Sequence, residues 1–267
     1  MGDRLDRQTL RNYLTGEWEL HCLEEIDSTN TYLKRIAVEG APHGTVAVAN
    51  RQTGGRGRMG RSFQSPEGKG IYLSILLRPT LSPEEMMPVT ALAAVAVCDA
   101  VEKVCGVRPK IKWTNDIVLG GKKLCGILTE SVLGGDGQVM ALVIGVGINV
   151  HHRAEDFTED VAAIATSLDA ELGREISRSE LAAALCRNLL SLGERLGGNC
   201  AAELAAYRRD CLNLGREVRL LWSGSQETVT AVDVDEQFGL VIRRADGTED
   251  VVRSGEVSVR GLYGYVE

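Results

Sequence analysis

The pattern of apolar and polar positions predicts strands at WELHCLEEID (18–27), where the two roughly alternate, and at TVAVAN (45–50) and GIYLSILLRP (70–79), short β-prone apolar runs, the last closed by Pro79. STNTYLKRIAVEG (28–40) predicts a helix, capped by Ser28 or a neighbour and stopped by Gly40. SPEEMMPVTALAAVAVCDAVEKVCG (82–106) predicts one long helix with a small-residue apolar face, opened by Ser, Pro and two acids and ended by Gly106. KIKWTNDIVLGGKKLCGILTES (110–131) predicts a hairpin that turns near Gly120–Gly121. QVMALVIGVGINV (138–150) is a continuous apolar run, hence a buried strand, and helical segments follow at roughly 158–172, 178–196 and 199–211. Strands and helices are segregated as much as alternated, which favours an α+β class over a doubly wound sheet.

The pattern changes near Gly215. EVRLLW, ETVTAVDV, GLVIRR, EDVVR and EVSVRG are short β-prone runs at intervals of about ten residues. They predict a small, separate barrel of about five strands, and a division into a domain of residues 1–213 and a second of residues 214–267. The second part has ten acids, six arginines and no lysine, a balance that disfavours a nucleic-acid-binding barrel.

Composition narrows the function. The 267 residues are 44% apolar but only 4% aromatic, so Leu, Val, Ile and Ala must fill the core. The net charge of −7 argues against general nucleic-acid binding, while leaving room for one local anion site. The polar start lacks the apolar region of a signal peptide, and no apolar run reaches the ~18 residues of a membrane span. The reading is a soluble, cytoplasmic protein. Its seven cysteines are scattered without a CxxC, as expected of buried, reduced thiols.

The local anion site has a candidate. RQTGGRGRMGRSFQSPEGKG (51–70) gathers Arg51, Arg56, Arg58 and Arg61 among glycines, with no acid before Glu67. GRGRMG fits G-x-G-x-x-G, but the dinucleotide fingerprint needs a helix after the glycines to carry the pyrophosphate. Here Pro66, more glycine and then a strand follow. The P-loop pattern fails as well, because no Gly-Lys-Ser/Thr closes it. What remains is a loop that brings forked arginine donors and backbone N–H groups to an anion, or else an arginine-decorated surface loop. Each charge-assisted bond contributes ~1.5–3 kcal/mol. Ordering the backbone costs ~1–2 kcal/mol per residue. Such a loop is expected to be loose when empty and to order around a multiply charged ligand.

Five segments occur in a telling order: STN (28–30), QTGGRGRMGRSF (52–63), KWTND (112–116), KKLCGIL (122–128) and VIGVGIN (143–149). Together they resemble the biotin protein ligases, from about residue 20 to the end, with GEVSVRG (255–261) like the last strand of that family's C-terminal barrel. The resemblance implies a mixed sheet related to class II aminoacyl-tRNA synthetases, followed by an SH3-like β-barrel. It implies ATP-dependent activation of biotin to biotinyl-5'-adenylate, then transfer of biotin to a lysine of a biotin carboxyl carrier protein. ATP with Mg²⁺ is the implied cofactor and biotin the substrate, with magnesium held mostly by phosphates and water. Only about twenty residues precede the first strand, too few for the DNA-binding winged helix of many members. The expectation is therefore a monofunctional ligase with no DNA and no membrane partner. Monomer and homodimer both stay open.

Residue roles follow by the same resemblance. Lys123 would neutralise the biotin carboxylate and the α-phosphate, which repel each other, and with Arg58 and Asp116 it forms the implied catalytic set. Asp116 would orient the acceptor lysine, whose reference pKa of ~10.4 leaves it mostly charged, and take its proton. Read alone, Lys123 is equally a hairpin-surface lysine, as Lys122 is expected to be, and Asp116 a turn residue. Biotin contacts are implied for Ser28, Thr29 and Asn30 at its ureido ring, and for Gln52, Gly54, Arg56, Gly57, Arg58, Lys123 and Gly126. Arg56, Arg58, Arg61, Phe63, Asn115, Lys123 and Asn149 are implied at the nucleotide. The family usually has proline where this chain has Thr114, so a local backbone difference with retained activity is expected. His151–His152 has no metal-ligand spacing, and no metal ligand is assigned. The alternatives are a lipoate or octanoate ligase or transferase on the same scaffold, and a nucleic-acid-binding regulator using the arginine loop.

Overall fold

The computed structural model describes residues 3–222, 225–253 and 258–261. In chain order the elements are α1 (Arg7–Arg11), β1 (Leu20–Ile26), α2 (Thr29–Val38), β2 (Val46–Gln52), β3 (Gly70–Leu77), α3 (Pro83–Met86), α4 (Val89–Cys105) and β4 (Lys110–Lys112). They continue with β5 (Asp116–Leu119), β6 (Lys122–Leu133), β7 (Val139–Asn149), α5 (Glu159–Ala162), α6 (Leu168–Leu172), α7 (Arg178–Arg195) and α8 (Ala201–Asp210). The chain then forms β8 (Glu217–Trp222), β9 (Ser225–Val234), β10 (Leu240–Arg243), β11 (Glu249–Val252) and β12 (Ser258–Gly261). The fold is α+β, as the segregated pattern predicts.

β1 to β7 form one mixed sheet in the order β1-β2-β3-β7-β6-β5-β4. Only β1 and β2 run parallel, joined through α2. The Ser28 side chain caps α2 by accepting from the Thr31 N–H. The hairpin turn falls on Gly120–Gly121, whose φ of +56° and +77° suit the tight two-residue connection that only glycine enters freely.

The sheet's two faces are covered differently. Ile71, Leu73, Ile75 and Leu77 of β3 and Leu142, Ile144, Val146 and Ile148 of β7 belong to the main core with α4 and α7. On the opposite face α2 packs Leu33 and Ala37 against Ala47, Leu76 and Val143. α2 reaches only part of that face.

Three expectations change. The single helix over 82–106 is two helices, because Pro88 lacks an N–H and its ring crowds the preceding turn. The hairpin over 110–131 is a three-stranded meander, with β4 added on the far side of β5. The helix over 158–172 is split into α5 and α6, because the backbone between them pairs with Lys123. The Lys123 N–H donates to Ile164 O at 2.8 Å, and the Thr166 N–H donates to Lys123 O at 2.9 Å.

The five C-terminal runs become an antiparallel sheet in the order β11-β10-β9-β8-β12. The start of the 255–261 run lies outside the described residues. This sheet is not separate in its packing. Val218, Val229, Ala231 and Leu240 join the main core. The Trp113 indole N–H donates to Phe238 O at 3.0 Å, and Tyr207 meets Phe238 edge-on with ring centroids 5.5 Å apart. The Trp113–Thr114 peptide bond is cis without a proline. Among the described residues no helix is long and apolar enough to cross a membrane.

Candidate active site

Where α2 stops covering the sheet, β3, β7 and β6 leave a cavity of about 420 Å³, within the size of ordinary small-molecule sites. Its floor follows from strand alternation. Gly145 and Gly147 of β7 share a face, Gly126 of β6 pairs with Gly147, and Leu128 pairs with Gly145. A Cβ on Gly147 would lie 2.6 Å from the Phe63 ring, and one on Gly145 would lie 2.1 Å from Asn30 Oδ1. The glycines thus make room for Phe63 and Asn30, which stand on the floor.

Lys123 reaches this floor through a β-bulge. Asp116 pairs with Gly126 and Ile117 with Cys125, but Val118 pairs with Lys123, leaving Leu124 as the extra residue. Strict alternation from Gly126 would turn Lys123 away from the cavity. The bulge instead sends Leu124 and Cys125 together into the core, and Lys123 onto the face of Asp116 and Gly126. Lys123 Nζ lies 2.7 Å from Asp116 Oδ1. Burial draws the Arg58 guanidinium below its ordinary pKa, partly offset by the charge of Asp116. Arg58 donates to Asn115 Oδ1 at 3.1 Å, and the Asn115 amide in turn donates to Ile127 O at 3.0 Å. One end of the cavity therefore brings Lys123 and Arg58 to the Asp116–Asn115 edge.

The other end is a neutral hydrogen-bonding pocket. Gln52 Oε1 accepts from the Thr29 N–H at 2.9 Å and from its hydroxyl at 3.1 Å. The Gln52 amide donates to Ser65 Oγ at 3.0 Å, which uses one of its two protons. The buried Ser74 hydroxyl lies 2.7 Å from Thr29 Oγ1 and 2.6 Å from Asn30 Oδ1. Asn30 gives its amide protons to Leu128 O at 3.1 Å and Glu130 Oε2 at 2.9 Å. Asn30 is thus committed to the pocket wall, whereas Gln52 and the Ser28 hydroxyl keep donors to offer.

The arginine loop is hydrogen-bonded at its base and crosses the cavity through its arginines. The Gly54 N–H donates to Asp27 O at 2.9 Å, and Phe63 N–H to Gly55 O at 2.9 Å. Arg56 and Arg58 diverge. Arg58 goes to Asn115, while Arg56 Nη1 lies 3.6 Å from Glu130 Oε1. Met59 between them is 68% exposed with φ +56°, a conformation that side chains rarely adopt.

Of the residues the resemblance implicates, Ser28, Thr29, Asn30, Gln52, Arg56, Gly57, Arg58, Arg61, Phe63, Asn115, Asp116, Lys123 and Gly126 all line this cavity. Gly54 and Asn149 do not. Gly54 packs against Asp27. Asn149 is buried and donates to Thr166 O at 3.0 Å, holding the segment that pairs with Lys123. Reasoning from the sequence passed over Lys112, Trp113, Ser74, Gly145, Gly147 and Glu130. Lys112 is a buried lysine opposite Asp116 in the β4–β5 ladder. The spacing of Gly145 and Gly147, two apart in a strand, was a legible signal of a face left bare.

Among the described residues no group of three or more His, Cys, Asp or Glu could hold a metal ion. Asp116, the acid lining the cavity, is already engaged by Lys123.

Comparison with known proteins agrees with this geometry. Residues 22–149 match the biotin/lipoate A/B protein ligase family. The chain is 44% identical over 154 residues to the bifunctional ligase/repressor BirA of Bacillus spizizenii, covering 58% of this chain and 47% of that protein. It therefore spans about half the length of that relative. It is 35% identical over 264 residues to the biotin--[acetyl-CoA-carboxylase] ligase of Mycobacterium tuberculosis, covering 95% of each. The structure of the biotin protein ligase from Aquifex aeolicus in complex with biotin and ATP superposes with a TM-score of 0.78 at 30% identity, over 91% of this chain and 99% of that one. With near-complete coverage of a relative at this identity, and a cavity built from the matched segments, the chain belongs to the biotin/lipoate A/B protein ligase family.

Proposed function

We propose that the protein is an ATP-dependent biotin ligase that makes biotinyl-5'-adenylate and transfers biotin to a lysine of a biotin carboxyl carrier domain. One observation carries the reading: the bulge that turns Lys123 into the cavity, where Arg58 also points, at the end opposite the neutral pocket. A cyclic urea needs donors for its carbonyl, and the second Gln52 amide proton and the Ser28 hydroxyl suit it. A dithiolane ring would leave those groups without partners, which favours biotin over lipoate.

In the first step a biotin carboxylate oxygen attacks the α-phosphorus of ATP, and the bond to pyrophosphate breaks. Lys123 and Arg58 offset the repulsion between the two anions, which grows as they meet. Lys123 would exchange its partner Asp116 for the ligand's oxygens. Arg61 and the loop N–H groups serve the phosphates, and Phe63 closes the apolar side of the cavity. Among the described residues no cluster of three or more His, Cys, Asp or Glu is present to hold magnesium. The ion would arrive bound to phosphates and water, and no step here depends on it.

In the second step the carrier lysine attacks the acyl carbon and AMP leaves with the bonding electron pair. Asp116, released from Lys123, orients the amine and accepts its proton. Residues 214–267 form the second domain of this reading and 1–213 the catalytic one. Seven free cysteines suit a cytoplasmic setting, where thiols stay reduced.

The test is exchange of labelled pyrophosphate into ATP. Exchange that requires biotin is expected. Its absence in folded protein, or exchange driven by lipoate alone, would contradict the proposal.

A further inference from the structure

Arg56 has a different surrounding from Arg58, and it defines a second role on the loop. Glu130 stands on β6, on the cavity side of the sheet, two residues beyond Leu128. Its Oε2 accepts from Asn30 at 2.9 Å, and its Oε1 lies 2.5 Å from Lys34 Nζ and 3.6 Å from Arg56 Nη1. Lys34 follows Asn30 by one turn of α2, so both hold Glu130 from the same helix face. The carboxylate is only 18% exposed and does not line the cavity. It stands behind the wall that Asn30 forms, and Arg56 reaches toward it. With Arg58 on Asn115, the loop crosses the cavity on two arginine ties, one beside the reacting groups and one remote from them.

We propose that Glu130 is a positioning residue: it holds Arg56, and through it the arginine loop, closed over the neutral end of the cavity, so that the acyl-adenylate is retained until the acceptor lysine arrives. Lys34 tunes this latch, because it shares Oε1 with Arg56. The inference rests on the adenylate-forming reading above. Acyl-adenylates hydrolyse in water, so a latch that slows their escape protects the product without touching the chemistry that makes it. Arg56 is half exposed and its separation from Glu130 is long, so the latch is weak, and its effect on loop opening is about two- to fivefold.

Glu130→Gln keeps an acceptor for Asn30 and removes the charge that holds Arg56. Lys34→Met removes the competitor and should strengthen the hold. Two readouts test the pair. In ligand-free protein, trypsin should nick the loop at Arg56, Arg58 or Arg61 about two- to fivefold faster in Glu130→Gln and more slowly in Lys34→Met. With biotin and ATP but no acceptor, release of the adenylate should follow the same order, while the saturated rate of pyrophosphate exchange changes less. Opposite directions for the two variants distinguish a latch from mere structural support, since lost support would accelerate nicking in both. Equal nicking in all three proteins, or acceleration in both variants, would overturn the proposal. The nicking assay needs no substrate, so it can fail or succeed independently of biotin-dependent exchange.

Discussion

Along β7 two sets of side chains share one strand and meet different chemistry. Leu142, Ile144, Val146 and Ile148 enter the core under α4 and α7. Gly145 and Gly147 alternate with them and face the cavity, where they leave space for Asn30 and Phe63. The sealed face is built by filling volume, and the open face by removing it. β6 repeats the contrast with an added device. Its bulge commits two consecutive residues, Leu124 and Cys125, to the sealed side so that Lys123 can serve the open one. Burial raises the Cys125 thiol well above its ordinary pKa, as befits a residue that packs and does not react.

If the two faces divide stability from chemistry, substitutions should divide in the same way. Ile144→Ala on the sealed side should cost about 2–5 kcal/mol of stability, read by urea unfolding, with turnover per folded molecule little changed. Lys123→Ala on the open side should slow pyrophosphate exchange by about 10²–10³, the scale for removing one group that stabilises transition-state charge. Its melting temperature should stay near that of the unaltered protein. An Ile144→Ala protein that folds normally but loses exchange would break the division.

His152 sharpens the contrast where β7 has just ended. It is 2% exposed, stacks on Phe157 with centroids 4.9 Å apart, and neither ring nitrogen has a hydrogen-bond partner among the described residues. Burial pushes its pKa down to about 4. The unfolded chain then binds a proton near its ordinary value of about 6.5 while the folded chain does not. Stability is lost as pH falls from about 6.5 toward 4, by about 2 kcal/mol at about pH 5. His152→Phe should remove that acid loss, measured by unfolding at several pH values. An unchanged acid limb would show that the ring is reached by water or a partner. The smallest effect is expected at the floor: Gly147→Ala should crowd Phe63 and raise the KM for biotin about tenfold, with stability changed by less than the Ile144→Ala cost.

The same contrast explains what could be read in the chain. β1, β2, β3 and β7 were legible because alternation or a continuous apolar run marks a strand whichever way it faces. The arginine loop stood out by its own run of glycines and arginines, whereas the cavity residues of STN and KWTND were found through the family resemblance, since each read alone is an ordinary helix cap or turn. The bulge was not legible. A two-residue period counted from Gly126 sends Lys123 into the core, and nothing in KKLCG marks Leu124 as the extra residue. Glu130 was missed for a related reason: in GILTES it reads as a solvated strand-end acid, and only pairing with α2 and the loop gives it partners. The break between α5 and α6 likewise depends on a contact with Lys123 more than thirty residues away in the chain.

The central claim is that the open face, with its bulged lysine, is where carboxylate and nucleotide meet. The most direct measurement is a crystal structure with biotin and a non-hydrolysable ATP analogue. The account predicts the biotin ring between Ser28 and Gln52, with its carboxylate and the α-phosphate both about 3 Å from Lys123 Nζ, which has left Asp116. Ligands bound elsewhere, or lying in the cavity with Lys123 still paired to Asp116 and remote from both anions, would contradict it.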